Sequence, residues 1–363
     1  MKKTLISLSI LGALTSAANA DVSVFGVIDT NLQRVSADNN GSITQMGTGG
    51  LATSRYGLKG SEDLGGGLKA GFHLEGQFDA DTGALKGNVS ADNRSAASTT
   101  ALFGRGAYVN LSGGFGEVRL GRDYLPDYKI LSGFAAFGTN GSAGTQAHKC
   151  TGLGVTCVTD TRASNAVQYF LPKNLGGFYG SLFYAFGEAN SNASNDSDGR
   201  VVAARIGLKM AGLDATVAHS KASYATPSVG SVTAGDIKRT AVGLSYTLGH
   251  FKPMLFWNDI EAITSTTTTA QRNDWGLGLV ATFGPHVVRT TYENYDIDAS
   301  DNDGKLIGLG YIYTLSKRTR LYAQYGRMDN DGTGTTFATN GGLTPNTAGG
   351  SSTGYELGVS HTF

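Results

Sequence analysis

The sequence predicts an all-β protein, a transmembrane β-barrel of about sixteen antiparallel strands. Its dominant local pattern is an alternation of apolar and polar residues with a period of two, whereas helical periodicity is hard to find. The alternating segments are about ten residues long, which is the length of a tilted strand that crosses a bilayer. Short turns and long polar stretches alternate along the chain, as in barrels with short periplasmic turns and long extracellular loops.

Residues 68–79 and 200–210 carry the alternation most clearly, with apolar side chains at nearly all even positions. A closed barrel pairs every backbone N–H and C=O inside hydrocarbon, and the lumen of about sixteen strands holds water. Polar residues are therefore expected on the strand face that points into the lumen.

Residues 178–189 and 251–260 are apolar on both faces, which predicts contacts there with another subunit or with a loop. The long polar stretches are residues 36–52, 80–99, 124–161, 189–199, 224–236, 263–272, 297–304 and 329–352.

The composition excludes several other classes of protein. The chain has 363 residues, of which 16% are charged and 53 are glycine, but it has only 6 prolines. Disordered low-complexity chains are richer in proline and poorer in aromatic residues. No run of about 18 apolar residues follows the N-terminal region, so helical membrane spans are not expected. Lys+Arg 29 equals Asp+Glu 29, so the charge gives no indication of a nucleic-acid partner.

The first 20 residues have the features of a secretory signal peptide. Lys2 and Lys3 form a positive start, residues 5–14 are apolar, and residues 18–20 read Ala-Asn-Ala. A membrane anchor is the alternative, but the apolar run is too short for it. We therefore predict cleavage before Asp21, a signal peptide at residues 1–20 and a single barrel domain at residues 21–363.

Export would bring the two cysteines, Cys150 and Cys157, into an oxidising compartment. Six residues lie between them, so a disulfide would close a small loop of chain. The alternative is a metal site, which needs more ligands at suitable spacing, and only His148 is near. A structural disulfide is the preferred interpretation, and neither a bound metal nor a cofactor is expected.

Several segments of the mature chain carry longer motifs. Residues 22–29 read VSVFGVID and residues 54–65 read SRYGLKGSEDLG. Further along are FGRGAYVNLSG at 103–113, GEVRLGR at 116–122 and SNAVQY at 164–169, and the chain ends in Phe363. In sequence and in order, these segments resemble the Gram-negative general porin family of the β-proteobacterial type. The resemblance spans the whole mature chain.

The resemblance implies a homotrimer of sixteen-stranded, water-filled channels in the bacterial outer membrane. Such channels contact outer-membrane lipid and lipopolysaccharide and admit inorganic ions and small hydrophilic solutes. It also implies that the third long loop, residues 124–161, folds inward and narrows the pore. The chain departs from the family here, because Asp127 precedes Tyr128 after the proline and because the loop carries the cysteine pair.

Four arginines are candidates for the wall of the narrowed pore, namely Arg55, Arg105, Arg122 and Arg162. Arg55 shares parity with Lys59, and Arg162 shares parity with Gln168, so both should face the lumen. Arg105 and Arg122 share parity with apolar residues. The resemblance places them in the lumen, as does the cost of an arginine facing mid-bilayer lipid, about 2–4 kcal/mol. Arg119 is a competing lumen candidate in the same segment as Arg122.

The third loop has an unbalanced charge. From residue 130 to residue 159 it contains no Asp or Glu, while it contains His148 and Lys149. Clustered guanidinium groups raise the occupancy of anions in a narrow, water-filled constriction, because they replace part of the ion's hydration. We therefore predict a passive diffusion channel that prefers anions. The alternative is that lumen acids pair with the arginines and leave a weakly selective pore; the candidates are Asp29, Glu75 and Asp127. Asp127 is also predicted to be a residue of the pore constriction.

Two other functions are weaker candidates. An outer-membrane enzyme would need a nucleophile oriented by a histidine near the rim. His219 and His286 have no recognisable partners, so no catalytic residues are predicted. An adhesin would bind through loops such as residues 189–199, but small polar residues dominate them. Acidic clusters at 296–303 and 329–331 would suit Ca²⁺ or Mg²⁺, although solvated surface acids are commoner.

Overall fold

The computed structural model describes residues 21–94, 99–155, 157–192, 196–224, 235–263 and 269–363, so the predicted signal peptide lies outside the described residues. The strands are β1 (Asp21–Ala37), β2 (Gly41–Thr48), β3 (Arg55–Gly65), β4 (Leu68–Phe78), β5 (Leu85–Lys86), β6 (Asn88–Val89), β7 (Thr99–Thr100), β8 (Gly106–Gly113), β9 (Gly116–Tyr124), β10 (Arg162–Phe170), β11 (Phe178–Ala185), β12 (Val201–Met210), β13 (Leu213–Ser223), β14 (Asp236–Tyr246), β15 (Phe251–Ile263), β16 (Thr269–Phe283), β17 (His286–Ile297), β18 (Gly304–Thr314), β19 (Thr319–Asn330) and β20 (Ser351–Thr362). The third long loop contains a helix, α1 (Pro126–Phe134). Within the described ranges, no helix has the length and apolar character needed to cross a membrane.

Sixteen of these strands close into one antiparallel barrel, namely β1, β3, β4 and β8–β20. Each is hydrogen-bonded to the next, and β20 completes the circle by pairing with β1, where Val27 lies opposite Thr362. On its other side β1 pairs with β3, with Val24 opposite Leu58. The predicted sixteen-stranded antiparallel fold is confirmed.

The long loops contain more strand than their polar composition predicted. β2 lies in the first of them and pairs with the far part of β1, from Thr30 opposite Thr48 to Ala37 opposite Gly41. Because β1 is 17 residues long and extends beyond β3, β2 covers an edge that would otherwise be unpaired. The second long loop contains β5, β6 and β7, of which β6 and β7 form a separate two-stranded sheet.

The two faces of the barrel differ in polarity, as the alternation predicts. Leu182 and Leu357 on the outer face are 60% and 63% exposed, and a bilayer would cover them. Asp29, Gln168 and Glu356 on the inner face are buried, because the third loop and neighbouring side chains occupy part of the lumen. Apolar side chains therefore face lipid, whereas polar side chains line the interior.

The third loop folds into the barrel and begins with α1, which the sequence pattern did not predict. Pro126 lies in the first turn, where its missing N–H removes no helical hydrogen bond. Ile130, Leu131 and Phe134 are buried in a cluster that includes Phe256 of β15. Phe256 belongs to residues 251–260, one of the segments that is apolar on both faces. Loop packing thus explains an apolar side chain that points into the lumen.

The close approach of α1 to the wall gives a first prediction. A Cβ at Gly243 of β14 would lie 2.6 Å from the Phe134 ring. Gly243→Ala should therefore weaken the docking of α1 by about 1–3 kcal/mol through overpacking, and protease should cleave the third loop faster in the folded, detergent-solubilised protein. Gly133→Ala is the matched control, because a Cβ there meets nothing within 4 Å. Equal cleavage of the two variants would contradict this packing.

Candidate functional site

Three arginines on the barrel wall converge near the third loop. Arg55 begins β3, Arg105 immediately precedes β8, and Arg162 begins β10. These strands are neighbours in the barrel, together with β4 and β9, so their ends at this level lie side by side. We call Arg55, Arg105 and Arg162 the arginine cluster.

One carboxylate and one phenol connect the arginine cluster. Arg105 Nε lies 2.5 Å from Glu75 Oε1, and Arg55 Nε lies 3.8 Å from Glu75 Oε2. Arg105 and Arg162 both donate to the hydroxyl of Tyr124, Arg105 at 2.6 Å. Arg162 also lies over the Tyr124 ring, 3.9 Å from its centroid. Within the described part of the chain Arg162 forms no ion pair, so the cluster has three positive charges and one carboxylate, Glu75, which pairs with Arg55 and Arg105.

The arginine cluster faces the third loop across an open space. This constriction cavity has a volume of about 390 Å³. Arg55, Glu75, Arg105 and Tyr124 line it on the wall side, whereas Arg162 contacts Tyr124 and is not one of the lining residues. On the loop side it is lined by Tyr128, Lys129, Ser132, Gly138, Thr139 and Asn140. Hydroxyl, amide and ammonium groups therefore face the guanidinium groups, and the loop contributes no carboxylate to the cavity.

Asp127 does not lie in the constriction cavity. Its carboxylate is buried and accepts a hydrogen bond of 3.0 Å from Arg239 Nη1 on β14. Arg239 also donates to the backbone carbonyls of His148, at 2.6 Å, and Asp160, at 3.2 Å. This buried pair joins both ends of the third loop to β14. The role that the structure suggests for Asp127 is to anchor the loop.

Further polar contacts hold the middle of the loop against the wall. The Ser142 backbone N–H donates to Glu356 Oε1 at 2.8 Å, and the Gln146 N–H donates to the Tyr295 hydroxyl at 2.9 Å. Arg272 is fully buried and donates to the Lys149 carbonyl at 2.9 Å. The loop is therefore attached to β14, β16, β17 and β20, which leaves the open space beside β3, β4 and β8–β10.

The charges of the loop are not all available to the lumen. Burial and the nearby cations Lys149, Arg239 and Arg272 hold the pKa of His148 well below its usual value of 6.5. His148 is therefore neutral at neutral pH and adds no charge to the pore. Lys149 Nζ donates to Asn340 Oδ1 at 2.9 Å, so its ammonium group is held toward the last long loop.

Arg122 is not brought to the arginine cluster. It shares the outer side of β9 with Leu120, and it donates to the Gly104 carbonyl at 2.8 Å and to the Ser164 hydroxyl at 3.0 Å. Arg105 reaches the lumen because it precedes the regular part of β8. A bulge in β10 between Ala163 and Ala166 also interrupts the parity that linked Arg162 to Gln168. Strand parity alone therefore could not place these arginines.

Two residues of the site were not singled out by the sequence. Tyr124 holds Arg105 and Arg162 together, and Arg239 holds the third loop to β14. The sequence pattern predicts neither role. Arg239 had a detectable signal, because it shares parity with Ala241, Gly243 and Ser245 on the inner face of β14. A buried arginine on that face requires a partner, but its partner Asp127 lies 112 positions away in the sequence.

The two cysteines of the loop, Cys150 and Cys157, are joined by a disulfide, with Cα atoms 5.8 Å apart. Cys150 and Leu153 are buried in a cluster that includes Phe183 of β11. Phe183 belongs to residues 178–189, the second segment that is apolar on both faces, so loop packing accounts for its inward side chain as well. No group of three or more potential metal-ligating side chains occurs in the described ranges.

A closed barrel whose polar lumen is narrowed by an inward loop has the architecture of a membrane channel. A model of the Gram-negative porin family matches residues 7–333, and the chain belongs to this family. It is an outer-membrane porin, as are its named relatives. Outer membrane porin protein 32 of Delftia acidovorans is 35% identical over 369 residues, which covers 100% of both chains.

Solved structures agree with this assignment. An anion-selective porin from Comamonas acidovorans has a TM-score of 0.83 and 32% sequence identity, with 95% of this chain and 100% of that chain covered. A trimer form of OmpT, an outer-membrane protein of Vibrio cholerae, has a TM-score of 0.65 at 16% identity and covers 95% of this chain and 99% of that one. The OmpT likeness shows the fold alone.

Proposed function

We propose that this porin is a passive diffusion channel that prefers anions, and that the arginine cluster and the third loop form its selective constriction. The observation that carries the proposal is the charge around the constriction cavity. Arg55 and Arg105 line the cavity and share the single carboxylate of Glu75, and Lys129 adds a further positive charge from the loop. Arg162 lies beside them over the Tyr124 ring and forms no ion pair with the residues that the structure describes. Fixed positive charge in a narrow aqueous passage favours anions over cations.

The alternative of a weakly selective pore is less well supported by the geometry. Of the acids that would neutralise the arginines, Asp127 pairs with Arg239, and Asp29 accepts hydrogen bonds from the backbone N–H groups of Gly50, Leu51 and Ala52. Glu75 alone lies in the arginine cluster. The similarity to a structure named as an anion-selective porin also favours anion preference.

The remaining parts of the proposal concern the setting of the channel. We infer that cleavage before Asp21 releases a mature chain of residues 21–363, which assembles as a homotrimer among outer-membrane lipid and lipopolysaccharide. The trimer form of OmpT supports this assembly through the shared fold. Inorganic ions and small hydrophilic solutes would cross by diffusion, without a catalytic step or a cofactor.

The proposal is tested by the reversal potential of the purified protein in a planar bilayer. In a gradient of KCl, the potential should have the sign that chloride permeation produces. Liposome swelling in neutral sugars supplies the control for an open pore, because uncharged solutes of small size should enter. A reversal potential of the cation-selective sign would contradict the anion preference, while liposomes that do not swell in small neutral sugars would contradict the channel itself.

A further inference from the structure

A second cavity lies on the other side of α1, toward the short turns of the barrel. It has a volume of about 730 Å³ and is bounded by three neighbouring hairpin turns, at residues 65–67, 113–116 and 171–177. Lys129 of α1 lines both this cavity and the constriction cavity. We call it the turn-side cavity. A solute that passes the constriction along Lys129 would enter it next.

Five cations border the turn-side cavity, namely Lys69, Arg119, Lys129, Lys173 and Arg205. Arg119, Lys129 and Arg205 each lie beside an aromatic ring. Lys129 Nζ lies 5.0 Å from the centroid of the Phe170 ring, and the Arg119 guanidinium lies 4.4 Å from the same centroid. The Arg205 guanidinium on β12 lies 5.0 Å from the centroid of Tyr179. These contacts hold the three cations at defined positions on the cavity wall.

The cations differ in how far they are neutralised. Arg119 forms ion pairs of 2.7 Å with both Glu117 and Asp123. Arg205 instead donates to the hydroxyls of Thr216, at 3.0 Å, and Tyr179, at 3.3 Å. Among the residues that the structure describes, neither Lys129 nor Arg205 forms an ion pair. Two positive charges that lie beside aromatic rings thus remain at the cavity for an anion that enters it, in addition to the exposed Lys69 and Lys173.

The acids near Arg205 are already engaged. Asp214 accepts a hydrogen bond of 2.6 Å from the Tyr179 hydroxyl, and its other oxygen lies 3.5 Å from Lys209 Nζ. Lys209 is on the same face of β12 as Arg205, but its side chain is 72% exposed and it does not line the cavity. A substitution of Lys209 therefore serves as the control that removes a positive charge from this strand face without changing the cavity lining.

The rest of the lining combines apolar side chains and backbone with polar side chains, namely Lys69, Ser112, Glu117, Lys173, Asn174 and Ser181. Leu171 and Pro172 lie along one side, and Gly113, Gly114 and Gly116 contribute backbone without side chains. A bare inorganic anion would leave this apolar surface in contact with water, whereas an organic anion would cover it. Small-molecule sites commonly combine such an apolar lining with a few convergent polar groups.

We propose that the turn-side cavity is a second binding site, for small organic carboxylates whose apolar body packs against Leu171 and Pro172 and whose carboxylate binds Lys129 and Arg205. The proposal rests on the proposed anion preference, since the carboxylate must first pass the arginine cluster. It adds a substrate class, because inorganic anions would cross the same cavity without being retained. Lys129 connects the two sites along the path.

The test uses benzoate as the organic carboxylate and single channels of the full-length mature protein in a planar bilayer. Benzoate added to KCl, in one compartment at a time, should reduce the wild-type current in a saturable way, more strongly from the side of the short turns. Arg205→Gln and Lys129→Gln should each raise the half-blocking concentration about tenfold through loss of a charge-assisted hydrogen bond. Lys209→Gln, which removes the same charge from the same strand face, should change it less than about twofold.

The outcomes separate this proposal from the proposed function. Equal effects of Arg205→Gln and Lys209→Gln would show that only the general field of the lumen acts, and would overturn the site. A wild-type channel that prefers chloride but is not blocked by benzoate would also overturn the site while leaving the anion preference intact. A cation-selective wild-type channel would contradict both. Currents in KCl alone show that each variant forms an open channel, and Lys129→Gln provides an independent test on another element.

Discussion

Replacing Arg55, Arg105 and Arg162 together with glutamine should lower the permeability ratio of chloride over potassium by about tenfold or more, to near unity. Glutamine retains hydrogen-bonding capacity and much of the side-chain length but removes the three positive charges. Reversal potentials in a KCl gradient measure the ratio directly. The current at saturating salt should change less, because high ionic strength screens fixed charges.

The size of this effect follows from the placement of the charges. Two unit charges 4 Å apart interact by about 1 kcal/mol in bulk water and by more where protein restricts the water. Arg105 and Arg55 share Glu75, so together they contribute less than two free charges. Arg162 has only the Tyr124 ring and hydroxyl as partners among the described residues, so its charge is the least neutralised of the three.

Two control variants should behave differently from the triple variant: one should raise the permeability ratio of chloride over potassium, and the other should not change it. Glu75→Gln removes the one carboxylate of the arginine cluster and should increase the preference for chloride. Arg34→Gln removes a positive charge from the outer side of β1, where Arg34 donates to Ser42 at 3.0 Å, and should leave the ratio unchanged. If Arg34→Gln changed the ratio as much as the triple variant does, net charge rather than the constriction would control selectivity.

Replacing Arg239 with methionine should detach the third loop from the wall. The buried Asp127 would lose its ion pair, and the carbonyls of His148 and Asp160 would lose their donor. Removing one partner of a buried ion pair costs about 3–5 kcal/mol. Because the barrel hydrogen bonds do not involve this side chain, the cost should fall on the docked loop. We expect higher single-channel conductance, larger current fluctuations and faster proteolysis within the loop.

The neighbouring lysine provides the matched control for this second prediction. Lys238 lies on the opposite face of β14, 3.5 Å from Glu261, and the two side chains are 36% and 32% exposed. An ion pair this exposed contributes about 0–1 kcal/mol, so Lys238→Met should leave conductance and proteolysis near wild type. Asp127→Asn, which leaves the Arg239 charge unpaired, should loosen the loop as Arg239→Met does. Wild-type behaviour of both Arg239→Met and Asp127→Asn would show that the buried pair does not hold the loop.

The barrel could be predicted well because its physical cause is local. Alternation places Lys69, His73 and Glu75 on one face of β4 regardless of the rest of the chain. The need to pair every backbone group in lipid then leaves a closed barrel as the solution. By contrast, β2 adds a strand pairing in a stretch rich in Gly, Ser and Thr, where composition does not distinguish a strand from a loop.

The arginine positions were predictable only in part. Arg55 shares the inner face of β3 with Lys59, so parity predicts its direction. Arg105 precedes the first residue of β8, and Arg162 is separated from the rest of β10 by a bulge. Strand parity therefore does not predict which face either side chain lies on. Arg122 keeps the parity of Leu120 and lies on the outer side, where the second loop covers it.

The sequence by itself determined the barrel, its polar lumen and the lack of acidic residues in the middle of the third loop, because these depend on periodicity and composition. Only the tertiary structure decided which charges meet. Asp127 pairs with Arg239 across the lumen, whereas Arg105 and Arg55 converge on Glu75 from separate strands. Such pairs depend on strand order, bulges and the path of an inward loop, which bring together residues far apart in the chain.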